Sequence, residues 1–205
     1  MHLALLHDGR PALLRVEGPV GAPAALFFHP FPLHADAWEE MLAACAGSGI
    51  CAAALDAPGF GGTPPLGRTL TMEYLAELGA AALDALGAKR AALVGCSMGG
   101  YAAMAFARRF PGRMTKAVLL ATKASPDTEE ARKNRERQAA LALDKGAQAV
   151  IAGEQDQLMP RAEMEKIAAS VPGARLEVIP GAGHLPFLED PKTVSRLLTT
   201  HLRAS

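Results

Sequence analysis

Three side-chain types that together can activate a hydroxyl group occur in this chain in the order Ser97, Asp156, His184. A serine hydroxyl is a weak nucleophile until a neighbouring base takes its proton. Histidine suits that task because its pKa lies near neutrality. A carboxylate is then needed to fix the imidazole tautomer and to stabilise the imidazolium. Ser97 stands at the centre of Gly95-Cys96-Ser97-Met98-Gly99, with Gly100 behind it. The apolar run Ala91 to Val94 leads in, and a small-residue helical run from Tyr101 leads out. A strand, a sharp turn and a helix with serine at the apex form the context a G-x-S-x-G nucleophile requires. The glycines are needed because strand and helix approach closely around a strained residue. For the carboxylate, Asp156 competes with Asp127, which follows the preceding strand, and with Glu154 two residues away.

The elements that must position these residues can be read from apolar periodicity and punctuation. Asp8-Gly9 between two apolar runs, Leu3–Leu6 and Ala12–Val16, predicts a hairpin. Buried strands are expected over Ala24–Phe28, Ile50–Leu55, Ala91–Val94, Lys116–Ala121, Ala147–Ala152 and Arg175–Ile179. Between them, helices are expected over Ala35–Ala46, from a Thr71 cap to Leu86, over Tyr101–Phe110 and Ser125–Lys145, and from Pro160 to near Val171. A terminal helix is expected from Asp190-Pro191. Strands alternating with helices imply a parallel sheet with helices on both faces. Active residues in such sheets gather at the carboxyl ends of strands. Ser97, Asp156, His184 and the His29-Pro30-Phe31 segment all follow predicted strands.

Composition narrows the functional classes. The 205 residues suit one domain, 1–205, with a substantial core. Lys plus Arg and Asp plus Glu number 21 each, which argues against nucleic acid or an anionic membrane as the main partner. No run has the length of a transmembrane helix. The first ten residues, broken by His2, His7, Asp8 and Gly9, do not read as a signal peptide. Three cysteines without a C-x-x-C pair suggest a reduced, cytoplasmic protein and no zinc site. His29, His34 and Asp36 match no zinc spacing. Cys45, Cys51 and Cys96 are expected in the core, Cys96 packing beneath the serine.

With these residues in place, the sequence resembles the α/β-hydrolases, in particular the esterase, enol-lactonase and haloperoxidase group. The resemblance rests on Phe28-His29-Pro30-Phe31-Pro32, Asp56 to Gly61, Gly95 to Gly100, Gly153-Glu154-Gln155-Asp156, and the stretch from Gly181 through His184 to Pro191. These stretches span nearly the whole chain. The resemblance implies an α/β fold with an eight-stranded, mostly parallel sheet whose second strand is antiparallel. It implies Ser97 as nucleophile, Asp156 as acid and His184 as base, with the N–H groups of Phe31 and Met98 as oxyanion donors. It implies no metal and no cofactor. The expected activity is hydrolysis of small carboxylic esters by a monomer or homodimer. Enol-lactone hydrolysis, perhydrolysis on the same residues, and a catalytically weak truncated or binding scaffold are the alternatives.

Two features depart from the family pattern. Its oxyanion loop reads His-Gly-x-Pro, whereas Pro30 stands second here. Proline lacks an N–H, but the expected donor is one residue on. Losing one such donor costs about 3 kcal/mol of transition-state stabilisation. The second departure is the short segment between strands six and seven. Residues 122–146 leave room for one crossover helix and little else, so a minimal cap and an open site are expected. His29, Pro30, Met159 and Leu185 are expected to border the substrate, with the Phe31 and Met98 side chains on the acyl group. The His29 ring should also bond the loop backbone. Trp38 and Phe187 should be core, and Arg132 to Arg137 a solvated helix face.

Overall fold

The computed structural model describes residues 1–123, 149–171 and 173–203. Eight strands form one sheet: β1 (His2–His7), β2 (Arg10–Glu17), β3 (Ala24–Phe28), β4 (Cys51–Leu55), β5 (Ala91–Cys96), β6 (Met114–Leu120), β7 (Ala149–Gly153) and β8 (Arg175–Ile179). Their spatial order is β1-β2-β4-β3-β5-β6-β7-β8. Strand β2 runs antiparallel to both β1 and β4, and all pairings from β4 to β8 are parallel. The expected sheet, including its antiparallel second strand, is therefore present.

The described helices are α1 (Glu39–Gly47), α2 (Met72–Ala85), α3 (Met98–Arg109), α4 (Arg161–Ser170), α5 (Pro186–Glu189) and α6 (Pro191–Arg203). Side chains alternate across the strands and so feed two cores. Leu26, Phe28, Leu93 and Leu119 face one core, which α2, α3 and α4 cover. Phe27, Val94, Val118 and Ile151 face the other, which α1 and α6 cover. Trp38 and Phe187 lie buried in that second core, stacked at 4.1 Å between centroids.

Several boundaries differ from the sequence reading. The Ala35–Trp38 segment is a 3-10 turn that precedes α1. Helix α3 starts at Met98, three residues early, so Gly99 and Gly100 are helical. Pro160 immediately precedes α4 instead of occupying its first turn. The Thr71 cap holds, its hydroxyl accepting the Tyr74 N–H at 3.2 Å. The helix expected over 125–145, and with it Asp127, the basic run from Arg132 and the expected open roof, lies outside the described residues.

This topology creates the place for a site. The chain leaves β3 toward α1 on one face and leaves β5 toward α3 on the other. Adjacent parallel strands whose connections diverge in this way leave a crevice at their carboxyl ends, where ligands bind. His29-Pro30-Phe31 and Ser97 stand at its two sides.

Candidate active site

Ser97 joins β5 to α3 with φ 50° and ψ −114°. A non-glycine residue in that region stores about 1–3 kcal/mol and persists only where the surroundings impose it. Here they do. The Ser97 N–H donates to the Leu120 carbonyl at 3.0 Å. Its own carbonyl accepts the Gly100 N–H at 3.0 Å and the Thr122 hydroxyl at 3.0 Å. A Cβ on Gly95 would overlap the Gly99 carbonyl, and one on Gly99 would overlap the Phe28 carbonyl. One on Gly100 would press on Thr122. The small residues around Ser97 therefore let α3 close onto β3, β5 and β6. Ala121, at φ 42°, carries similar strain beside Thr122.

The Ser97 side chain makes no capping hydrogen bond to α3. Met98 is the first residue of that helix, so its N–H has no intrahelical acceptor. Phe31 lies in the turn closed by the Leu33 N–H on the Pro30 carbonyl, at 2.9 Å. Pro30 is buried, while the Phe31 side chain is 68% exposed and meets the Phe60 ring edge-on at 5.8 Å.

The Asp156 side chain is fully buried. Its Oδ1 accepts the N–H groups of Leu158 and Met159, both at 2.9 Å. Its Oδ2 lies 2.9 Å from His184 Nδ1. An acceptor facing Nδ1 places the imidazole proton there and leaves Nε2 free to accept another. Of the two candidate acids among the described residues, Asp156 is the one on the imidazole. Glu154 instead accepts the Gly181 N–H at 2.9 Å. The negative charge of Asp156 also reaches Cys96: burial first, and then this charge, push that thiol well above its usual pKa. Cys96 thus packs in the second core, next in sequence to Ser97.

The His29 ring bonds the loop backbone, as expected. Its Nδ1 donates to the Pro30 carbonyl at 3.0 Å, and its Nε2 accepts the Ala57 N–H at 3.0 Å. Both bonds are made at once only by the neutral ring. Burial, the largest cause, lowers its pKa from the ordinary 6.5. Asp56 braces the far end of the same loop by accepting the Ala35 and Gly62 N–H groups at 2.7 and 2.9 Å. His29, Phe28, Met98 and Gly99 border a cavity of about 10 Å³. That is about the room one water needs, too little for an acyl group. Met159 and Leu185 are half-buried, Leu185 against the second core.

The His29 geometry has a pH consequence. Its folded pKa lies below the unfolded value, so the stabilisation is present above pH 6.5 and is lost as the pH falls toward the lowered pKa. The loss cannot exceed about 1.4 kcal/mol per pH unit for one proton. Urea midpoints measured from pH 8 to 5 are expected to fall more steeply for the native protein than for His29→Gln. Parallel profiles would refute this account.

Sequence reasoning missed two supports. Thr122 was seen only as the start of the crossover, and its hydroxyl holds the Ser97 carbonyl. Glu189 was one letter in a family-like stretch, and it holds the loop of His184. Neither carries a spacing signal, because each acts across a fold the sequence does not display. Among the described residues, no group of three or more His, Cys, Asp or Glu side chains is placed to hold a metal ion. No described helix is long and apolar enough to cross a membrane.

Comparison with known proteins places this geometry in a family. Relatives include a 2-hydroxy-6-oxononadienedioate/2-hydroxy-6-oxononatrienedioate hydrolase of Burkholderia vietnamiensis, 36% identical over 113 residues. Another is a bifunctional esterase/perhydrolase of Acinetobacter calcoaceticus, 31% identical over 114 residues. Each match takes in 55% of this chain but only 36% and 41% of the respective relative, so the matched part spans less than half of either. Among solved structures, the enol-lactonase of Burkholderia xenovorans superimposes with a TM-score of 0.88 at 18% identity, covering 98% of this chain and 100% of its own. A thermophilic esterase from Thermogutta terrifontis gives 0.83 at 24%, covering 99% and 98%. At those identities the likeness speaks for the fold. The alpha/beta hydrolase fold family matches residues 23–147, and a second alpha/beta hydrolase family matches residues 131–197. With sheet order, serine turn and sequence match in agreement, this chain belongs to the α/β hydrolase fold family.

Proposed function

We propose that the protein hydrolyses small carboxylic esters through an acyl-serine intermediate, with Ser97, His184 and Asp156 as the catalytic triad. The hydrogen bond between His184 Nδ1 and the buried Asp156 carboxylate carries the reading. It sets the tautomer that leaves Nε2 as the base. Ser97 Oγ attacks the ester carbonyl while Nε2 takes its proton. The oxyanion rests on the Met98 and Phe31 N–H groups. The imidazolium protonates the departing alcohol oxygen as the C–O bond breaks. Water, deprotonated by the same nitrogen, then attacks the acyl-serine and frees the acid and Ser97. Every proton passes through His184.

The esterase/perhydrolase relative favours a second outcome at the same site: hydrogen peroxide in place of water would give a peracid. A lactone differs from an open ester only in that the leaving alcohol stays tethered, so enol-lactones are substrates on the same scheme. We place the whole of 1–205 in one catalytic unit, with 122–146 as the crossover, acting in the cytoplasm as a monomer or homodimer. No nucleic acid or membrane partner enters this reading.

A panel of p-nitrophenyl esters tests the substrate range. Acetate to butyrate esters should turn over best, with shallow selectivity. A sharp preference for one bulky ester would contradict it.

A further inference from the structure

The loop that carries His184 is fastened to its surroundings at successive residues. The Gly181 N–H donates to Glu154 Oε2 at 2.9 Å, and the Ala182 carbonyl accepts the Gln155 N–H at 2.8 Å. The Gly183 carbonyl lies against Gly153 so closely that a Cβ there would overlap it. These three attachments come from the segment that also carries Asp156. The fourth comes from the other side. Glu189, at the end of α5, accepts the Gly183 N–H on Oε2 at 2.6 Å and the Leu185 N–H on Oε1 at 2.9 Å. The two donors are the N–H groups of the residues on either side of His184.

We propose that Glu189 is a positioning residue: its carboxylate bridges the N–H groups of Gly183 and Leu185, the residues before and after His184, and holds the imidazole on Asp156 and toward Ser97. This rests on the triad reading given above. Two N–H groups bound to one rigid, planar carboxylate fix the Ala182–Gly183 and His184–Leu185 peptide planes, and so restrain the short stretch of backbone between them that carries His184. Bonds to an ionised acceptor are the stronger kind. The backbone adds to the grip, since the Glu189 N–H returns to the Leu185 carbonyl at 3.1 Å. Glu189 is exposed to solvent, so water screens its charge and the effect is geometric. Glutamine can match only one of the two amides, because its Nε2 would present a donor to the other. Alanine matches neither.

The test uses Glu189→Ala and Glu189→Gln in the full chain, with p-nitrophenyl acetate as substrate and active sites counted by a fluorophosphonate. kcat per counted site should fall about 10- to 100-fold, the cost of a misplacement near 1 Å, with KM within about twofold. Proton NMR supplies a second readout that needs no turnover. The His184 Nδ1–H, bonded to Asp156, should give a far-downfield signal in the native protein, absent in His184→Gln, and it should broaden or vanish in the Glu189 variants. Trp38 is the only tryptophan and lies in the core, so its emission reports whether each variant is folded. If Glu189→Ala does not fold, Glu189→Gln is read by the same measurements. A kcat per site within twofold of native together with an intact signal would overturn the proposal. A lower fraction of active sites at unchanged kcat per site would also overturn it, since it would mean folding support alone. Failure of the native protein to hydrolyse the ester would instead strike the triad reading and leave the NMR comparison standing.

Discussion

Ser97→Ala is expected to lower kcat/KM for p-nitrophenyl acetate by about 10⁴-fold or more, the scale seen when a serine nucleophile is removed. Ester binding should change little, because the missing group acts on the carbonyl carbon in the transition state. The loss should not come from unfolding. Alanine keeps the Cβ, and the backbone bonds from Leu120, Gly100 and Thr122 do not involve the lost hydroxyl. Ser97→Gly separates the two effects further. Glycine accepts φ 50° without strain, so this variant should be as inactive as alanine and more stable, by up to about 1–3 kcal/mol. Thermal unfolding alongside the ester assay checks both. A glycine variant less stable than the native protein by more than the ~1 kcal/mol that glycine costs in chain entropy would mean that the serine turn stores little strain.

Asp156→Asn is expected to cost about 10⁴-fold in kcat, as tautomer inversion does in a triad. The argument is one of donors and acceptors. Oδ1 of Asp156 receives two backbone N–H groups, from Leu158 and Met159. Asparagine must keep its oxygen there, because turning its NH₂ toward them would set donor against donor in a buried place. The NH₂ then faces His184 Nδ1, which must give up its proton and accept. The imidazole proton moves to Nε2, and the base can no longer take the Ser97 proton. The geometry is nearly isosteric, so the fold should survive and KM should hold within a few-fold. Glu154→Gln, acting on the Gly181 N–H alone, should cost far less. A larger loss for Glu154→Gln than for Asp156→Asn would remove the assigned acid.

The strands were legible because apolar runs of five or six residues, bounded by glycine, proline or polar turns, have few other uses. Ala24–Phe28 and Arg175–Ile179 lie where the sequence puts them. The serine turn was legible because the packing around it tolerates only small residues. The start of α3 was not: Gly99 and Gly100 read as turn residues by propensity, yet they are helical because α3 must pass close to the Phe28 carbonyl and Thr122. Strand β6 begins at Met114, earlier than expected, because Met114 pairs with Ala91 across the sheet. Helix α5 escaped notice because four residues cannot show a helical period. Residue type and spacing left Asp156 and Glu154 as rivals, and only the family resemblance preferred Asp156; in the fold the two separate, because Asp156 faces His184 and Glu154 faces Gly181. Chain order alone reveals who can meet, and the clamps from Thr122 and Glu189 belong to the tertiary structure.

The central claim is that Ser97 is the nucleophile of an acyl transfer. The most direct measurement is peptide mass spectrometry after treatment with a fluorophosphonate, which phosphonylates an activated serine and loses fluoride. The account predicts one adduct per chain, on Ser97, formed together with loss of esterase activity and absent from His184→Gln at the same reagent concentration. An adduct on another residue, or full ester turnover by a protein quantitatively modified at Ser97, would contradict it.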